Sequence, residues 1–480
     1  MEKLIDCFVP EGNETETDKN VNSLNDLDIV NDITIVETSL RESETLRTIA
    51  EMVKAPYALF FLKSQYISMG YRALERMIQV AEMTGAGMVY ADHYNVSAEG
   101  TRTDAPVNDY QMGSLRDDFD FGSVLLLRTD ALKEAAARMT ADYKAAGLYD
   151  LRLKLSQKCR FEHINEFLYS EVELDTRTTG EKLFDYVDPT NRASQIEMEA
   201  ACTEHLREIG GYLAPGTMQE VDLKSGNFEV EATIMIPVRN RVKTIRDAID
   251  SALSQVTTFK YNIFVVENGP ECHSTDGTTE AIDSYDDPRI IHIVPTRNDL
   301  GVGGSWNMAA HDPRCGRFIV QLDSDDVYSG TDTLQKMVDA FYAQRCAMVI
   351  GSYMLTDINM NMLPPGKIDH KEWTPDNGRN NALRINGLGA PRAFFTPVVR
   401  AINLPNVNYG EDYALGLAIS RQYTIGRIYD VVYNCRRWDD NSDGNLDRVK
   451  ENRNNLYKDR IRTWELMARI AKNSQGGAPN

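Results

Sequence analysis

The sequence predicts an α/β protein in which a mostly parallel sheet, covered by helices on both faces, is present twice in tandem. Three observations carry that prediction. From about residue 226, short apolar β-rich runs alternate with stretches of helical period, and the runs are continuous, as in strands buried on both faces. A segment near the N-terminus aligns without a gap to one about 260 residues later. At 480 residues with 42% hydrophobic content, the chain is long for one domain and has enough apolar material for two cores.

The elements follow in order. Residues 232–237 (ATIMIP) form a strand, and 242–253 a helix whose Ile245, Ala248, Ile249 and Leu253 share a face. Strands follow at 261–266 and 289–294, separated by a short helix at 278–285. A small helix at 304–310 precedes a strand at 317–322 that ends in an acidic cluster; an amphipathic helix at 331–344 and a strand at 346–353 follow. Ligands of such sheets bind at the carboxyl ends of the strands. Residues 1–28, polar, acidic and without period, are expected to be a flexible leader. The expected boundaries are then 29–225 for a first domain, 226–446 for a second, and 447–480 for a terminal helix and tail. Leu456, Ile461, Trp464, Leu466, Met467 and Ile470 give that helix an apolar face, expected to pack on the second domain. Because the stretch is basic within an acidic chain, a homodimer or peripheral membrane contact is the alternative.

The repeat pairs residues 57–95 with 317–355, matching Leu62 to Leu322, Ser64 to Ser324, Gly70 to Gly330, Leu74 to Leu334 and Met77 to Met337. Further on, Tyr149-Asp150-Leu151 resembles Glu411-Asp412-Tyr413. A period this long means domain duplication. Where the second copy has Asp323-Ser324-Asp325, the first has Lys63-Ser64-Gln65. The first copy is therefore expected to be degenerate and unable to hold the same metal, and shortened, with too little chain before residue 57 for the leading strand–helix units.

Composition narrows the function classes. With 52 Lys and Arg against 72 Asp and Glu, the formal charge is −20. That argues against nucleic acid as the main partner, which needs clustered cations. A nucleotide is still compatible, because one divalent cation between acids can hold its phosphates. Seven scattered cysteines without CxxC spacing suggest free thiols in a reducing compartment. The acidic N-terminus lacks a signal-peptide layout and no apolar run is long enough to span a bilayer, so the expected location is the cytoplasm, or the inner surface of its membrane.

The densest chemistry is Gln321-Leu-Asp-Ser-Asp-Asp326, where a buried strand ends in three carboxylates. Asp323 and Asp325, two apart, can face one ligand, and hard oxygen donors suit Mn²⁺ or Mg²⁺ with diphosphate completing the coordination. A solvated turn would use the same residue types. Around it lie Ile236–Asn240 (IPVRN), Val265-Val266-Glu267-Asn268-Gly269, Ser274-Thr275-Asp276-Gly277-Thr278, Asn298-Asp-Leu-Gly301 followed by Asn307, and Gly410-Glu411-Asp412-Tyr413.

In this order the motifs of residues 230–440 resemble the GT-A fold of family 2 glycosyltransferases, a Rossmann-like nucleotide-diphospho-sugar transferase architecture. The resemblance implies a metal-dependent, inverting hexosyl- or N-acetylhexosaminyl-transferase. Its donor would be a nucleotide sugar and its acceptor a carbohydrate or lipid-linked glycan, as in polysaccharide biosynthesis. It implies that Pro237, Arg239, Asn240, Glu267, Asp276, Asn298, Gly301 and Asp323 serve the donor nucleotide, with Asp276 equally able to cap the helix begun at Thr278. Asp323 and Asp325 would hold the metal. Asp412, with Glu411 beside it, would be the general base, although the pair could instead cap a helix. The family often has a metal-binding His near 433–440; here Trp438 and Asp439 stand there, and either Asp439 or water completes the shell. Arg436 and Arg437 are candidate diphosphate contacts. The other classes weighed are a non-catalytic sugar-nucleotide or glycan-binding scaffold and a sugar nucleotidyltransferase, whose Gly-rich opening and Pro-Lys signature are absent.

Overall fold

The computed structural model describes residues 2–172, 191–269, 273–385, 387–438 and 447–475. Two compact units divide the chain, one from 1–212 together with 446–480 and the other from 213–445.

The second unit is built on β9 (Ala232–Val238), β10 (Tyr261–Glu267), β11 (Ile290–Ile293), β12 (Phe318–Gln321), β13 (Val327–Tyr328), β14 (Met348–Asp357), β15 (Met362–Ile368), β16 (Arg392–Phe395) and β17 (Ile425–Arg437); the first eight strands belong to the other unit. Their order is β11-β10-β9-β12-β16-β14-β17-β13, with β15 on β14. β9 pairs in parallel with β10 and β12, whereas β16 runs antiparallel to both β12 and β14. Every residue of β10 is buried, as expected for a strand covered on both sides. The helix Ile245–Leu253 turns Ile245, Ala248, Ile249 and Ala252 inward. On Thr333–Gln344, Leu334, Met337, Val338 and Phe341 do the same, and Phe341 stacks on Phe318 of β12 at 4.3 Å between ring centres.

The first unit holds β1 (Ile5–Pro10), β2 (Val30–Val36), β3 (Tyr57–Phe61), β4 (Ile67–Met69), β5 (Met88–Val96), β6 (Arg102–Ala105), β7 (Val124–Arg128) and β8 (Phe161–Val172). Their order is β2-β1-β3-β7-β5-β8-β4, with β6 on β5. Replacing each by its counterpart in chain order reproduces the second sheet, with no equivalent of β11. Successive residues of the strands face opposite cores, Phe8 and Phe60 on one side and Cys7, Val9, Leu59 and Phe61 on the other.

Three expectations are corrected here. Residues 1–28 do not form a flexible leader: Ile5–Pro10 is a buried strand between β2 and β3, and Glu14–Asn25 is a helix capped by the Asn13 side chain. The strand escapes notice because Asp6 interrupts its apolar run. Burial of that carboxylate is offset by hydrogen bonds from Asn31 Nδ2 (2.7 Å) and the backbone N–H groups of Lys54 (2.7 Å) and Ala55 (2.9 Å). The first copy consequently does have a leading strand–helix unit before residue 57. Finally, the helix Arg448–Gln475 belongs to the first unit and not to the second. There Asp459, fully buried, accepts from Ser114 Oγ at 3.1 Å, lies 3.4 Å from Arg116 Nε and pairs with Arg462 at 2.9 Å. No helix among the described residues is long and apolar enough to cross a membrane.

Candidate functional site

Because β9, β10 and β12 are parallel, their carboxyl ends share one edge of the sheet. The acidic loop leaves β12 there and closes a turn through Asp326 N–H to Asp323 O, 3.1 Å. Gln321 Nε2 reaches both carboxylate oxygens of Asp323 at 2.9 Å, and the Asp323 N–H donates to Tyr433 Oη at 3.0 Å. Asp325 receives Trp438 Nε1 at 3.3 Å and lies 3.7 Å from Arg241 Nε. Asp326 is buried and accepts the Arg436 N–H at 2.7 Å. Burial, with the Asp325 charge added, raises the Asp323 carboxyl to about 6. Burial and the charges of Asp323 and Asp325 push Asp326 well above the usual carboxylate range. Negative charge is thus crowded at this edge, and a cation placed there would relieve it.

Gln321 also faces the other way. Its Oε1 accepts from Arg392 Nη1 at 3.0 Å and from the Arg392 N–H at 3.2 Å. Arg392 Nη2 forms a short ion pair with Asp412 Oδ2, and Arg392 Nε anchors the 387–392 loop by donating to Leu388 O at 2.7 Å. A continuous path, Asp323–Gln321–Arg392–Asp412, therefore joins the acidic loop to the first turn of the helix Glu411–Gln422. Next to it, Glu411 Oε2 is buried without a hydrogen-bond partner among the described residues. Burial, reinforced by Asp412, raises Glu411 to about 8.

The residues expected on the nucleotide side fall into a second group. Asn240, at φ 50° in the left-handed region that Asn tolerates, accepts Thr275 N–H at 2.8 Å and donates its own N–H to Ser274 Oγ at 3.0 Å. Glu267 ends β10 fully buried. Its Oε2 takes the Ser274 N–H, and its Oε1 takes Thr279 Oγ1 at 2.7 Å and His292 Nε2 at 3.0 Å. Burial would raise this carboxyl, but the hydrogen bonds from His292, Thr279 and Ser274 outweigh it and hold it at about 2. Both oxygens are thus used to fix the 273–279 loop. Asp276 accepts from Thr278 N–H (3.0 Å), at the start of the helix Thr278–Asp283, and from Val242 N–H (3.1 Å), while Gly277 holds the N-cap position of that helix. Arg239 lies against Gly269, where an added Cβ would fall 1.4 Å from Arg239 Nη1. Pro237 is half-buried near the end of β9, Asn298 is exposed, and the Gly301 N–H donates to Asn406 Oδ1 at 2.8 Å.

Sequence reasoning missed Gln321 and Arg392 as site residues. The only signal was their adjacency to the Asp323 motif and to the 387–392 loop. Arg436 turns inward: its guanidinium donates to Asp325 O at 2.5 Å and pairs with Asp247 at 2.7 Å, so it braces the acidic loop. Asp439 lies outside the described residues. Among those described, no three His, Cys, Asp or Glu side chains converge as a ready metal cluster. Asp323 and Asp325 offer hard oxygen donors, a pair that fits Mn²⁺ or Mg²⁺ with further positions left to phosphate and water.

Residues 233–396 match the family model of Glycosyl transferase family 2. No curated protein matches the sequence. Among solved structures, S. aureus TarS is 20% identical over 43% of this chain, with a TM-score of 0.36; this chain spans only 37% of TarS. The Pyrobaculum calidifontis mannosyltransferase PcManGT, in complex with GDP-Man and Mn²⁺, is 15% identical over 60% of this chain and 86% of its own, TM-score 0.35. Glucosyl-3-phosphoglycerate synthase from Mycobacterium tuberculosis, in complex with Mn²⁺, UDP and glucosyl-3-phosphoglycerate, is 17% identical over 51% and 81%, TM-score 0.33.

Proposed function

Residues 233–396 carry a family 2 glycosyltransferase domain, and from it we infer that the second unit transfers a sugar, with inversion, from a nucleotide-diphospho-sugar to a hydroxyl of a carbohydrate or lipid-linked glycan. The observation that carries this reading is the path Asp323–Gln321–Arg392–Asp412. It joins Asp323, which this reading assigns to the metal and diphosphate, to Asp412, which it assigns as the base, in one network at the sheet edge where ligands of such folds bind.

Asp323 and Asp325 would hold the Mn²⁺ or Mg²⁺ ion, which when bound neutralises charge on the departing diphosphate. Asp412 takes the proton of the acceptor hydroxyl. The oxygen then bonds the anomeric carbon as the bond to diphosphate breaks on the opposite face, and the nucleoside diphosphate leaves. Of the two acids at 411–412, Asp412 suits the base better: a carboxyl raised to about 8 is largely protonated at neutral pH, which is the state of Glu411. Arg392 keeps the Asp412 carboxylate oriented, and its loop forms a wall on the acceptor side. Asn240, Glu267 and Asp276 shape the nucleoside side through the 273–279 loop, and Arg239, Pro237, Asn298 and Gly301 border it.

A panel of sugar nucleotides with Mn²⁺, scored by thermal shift and by donor hydrolysis, tests the reading. At least one donor should stabilise the wild type, and Asp325→Ala should abolish that shift. Asp412→Asn should retain donor binding while turnover falls about 10²- to 10⁴-fold. If no donor binds, or if Asp325→Ala binds as tightly as wild type, the reading fails.

A further inference from the structure

The helix Arg448–Gln475 has a second face that the first unit's core does not cover. Its inner side is buried through Asp459, Ile461, Arg462, Glu465, Leu466 and Arg469. On its outer side Val449, Arg453, Arg460, Trp464 and Met467 follow one another at steps of three, four or seven residues, which places them on one face. This stripe is open to solvent: Val449 is 70% exposed, and Trp464 and Met467 are each 56% exposed. Lys450 flanks it and is also exposed. At 100° per residue, the helix's three acids, Glu451, Asp459 and Glu465, all fall well away from the stripe. Among the described residues no carboxylate pairs with Lys450, Arg453 or Arg460.

Two facts therefore coincide on one straight segment about 27 Å long from Val449 to Met467. Large apolar groups, one of them an indole, are held in water, where single exposed apolar residues are common but a linear set is not. Between them lie Arg453 and Arg460, with which no carboxylate among the described residues pairs, in a chain whose formal charge is −20. Chain-wide acidity makes non-specific attraction to an anionic surface unfavourable, so a segregated basic line has to act at short range and in one orientation. An indole and a thioether side chain following two guanidinium groups along one face suit the boundary of headgroups and acyl chains: the ring and methyl groups enter, and the cations meet lipid phosphates.

We propose that this outward face of the helix Arg448–Gln475 is a docking surface for an anionic lipid bilayer, on which the helix lies flat. The proposal does not depend on the glycosyltransferase reading, because the surface belongs to the other unit. If both hold, the enzyme works beside a membrane that carries its acceptor.

The full-length protein is mixed with phosphatidylcholine vesicles, with or without phosphatidylglycerol, and binding is read by co-sedimentation as salt is raised. Binding is expected to the phosphatidylglycerol vesicles only and to weaken with salt. Arg453→Ala with Arg460→Ala should weaken it roughly 25-fold, at about fivefold per cation. Trp464→Ser should weaken it too. These side chains are solvent-exposed, so thermal unfolding and sugar-nucleotide binding should stay at wild-type values in each variant. The proposal is overturned if phosphatidylglycerol vesicles do not bind, if neutral vesicles bind as well, or if the variants bind like wild type. A concentration-dependent dimer in light scattering, lost in the same variants while vesicles are ignored, would assign the face to a second copy of the chain and also overturn it.

Discussion

Glu267 shows how a residue that reads as a ligand contact from sequence can be bound up in the scaffold. A carboxylate ending a buried strand must find donors, and the loop that follows supplies Ser274 and Thr279 while β11 supplies His292. The pH dependence follows from the two shifts. Glu267, lowered to about 2 from an ordinary value of about 4.3, adds stability above pH 4 that is lost as pH falls through its folded value. Burial would lower His292, but Glu267 and Asp283 raise it, so its share is present below about pH 6.5 and lost as pH rises through its raised value. The pair therefore contributes most between about pH 4.3 and 6.5. Glu267→Gln should destabilise the second unit by on the order of 2 kcal/mol at pH 6 and by clearly less near pH 3. Urea unfolding at both pH values measures this; an equal loss at each would show that the charge is not what matters. Sequence could place Glu267 at a strand end, but not identify its donors, because His292 lies on another strand.

At the scale of elements, β9 to β12 and β14 were legible because each is a short, mostly apolar run, and the helix Thr333–Gln344 because its period is regular; β13, β15, β16 and β17, which are very short or interrupted by Pro, Gly and charged residues, were not. β1 was illegible because one buried acid broke its pattern. The path through Gln321 and Arg392 was illegible for another reason: β12 and β16 are antiparallel neighbours about 70 residues apart, and no local pattern announces that pairing. A further contact of this kind fixes the helix Glu411–Gln422, which carries the proposed base. The helix Val302–His311 meets the segment before Glu411 at Gly303, where an added Cβ would lie 1.9 Å from Pro405 O and 2.9 Å from Glu411 Cβ. Backbone cannot yield as a flexible side chain can, so Gly303→Ala should cost about 1–3 kcal/mol and displace the 405–411 segment. Turnover should fall more than donor binding does, since Asp323 and Asp325, the proposed metal and phosphate ligands, sit on the loop after β12. A variant with wild-type stability and wild-type turnover would show that the two elements separate without consequence.

For the whole molecule, the shared strand order turns a sequence repeat into a comparison of equivalent positions. Phe61 of β3 pairs with Val124 of β7, and extension of the β12–β16 register puts Gln321 opposite Arg392 in the equivalent place. The polar relay of one unit is thus an apolar contact in the other. Lys63 stands where the second unit has Asp323, and its ammonium pairs with buried Glu171 at 2.5 Å. Asp150, the counterpart of Asp412, is buried with neither oxygen hydrogen-bonded among the described residues, and burial raises it to about 6. A cation entering the first unit would meet a fixed ammonium in place of a carboxylate, and a base there would be shut away from any acceptor. The intact chain should therefore bind one Mn²⁺, not two, in the presence of a nucleoside diphosphate. Equilibrium dialysis with metal analysis should give a stoichiometry near one for wild type and for Lys63→Ala, and near zero for Asp323→Ala combined with Asp325→Ala. Two ions per chain, or one ion surviving the double substitution, would place metal binding somewhere other than the acidic loop after β12.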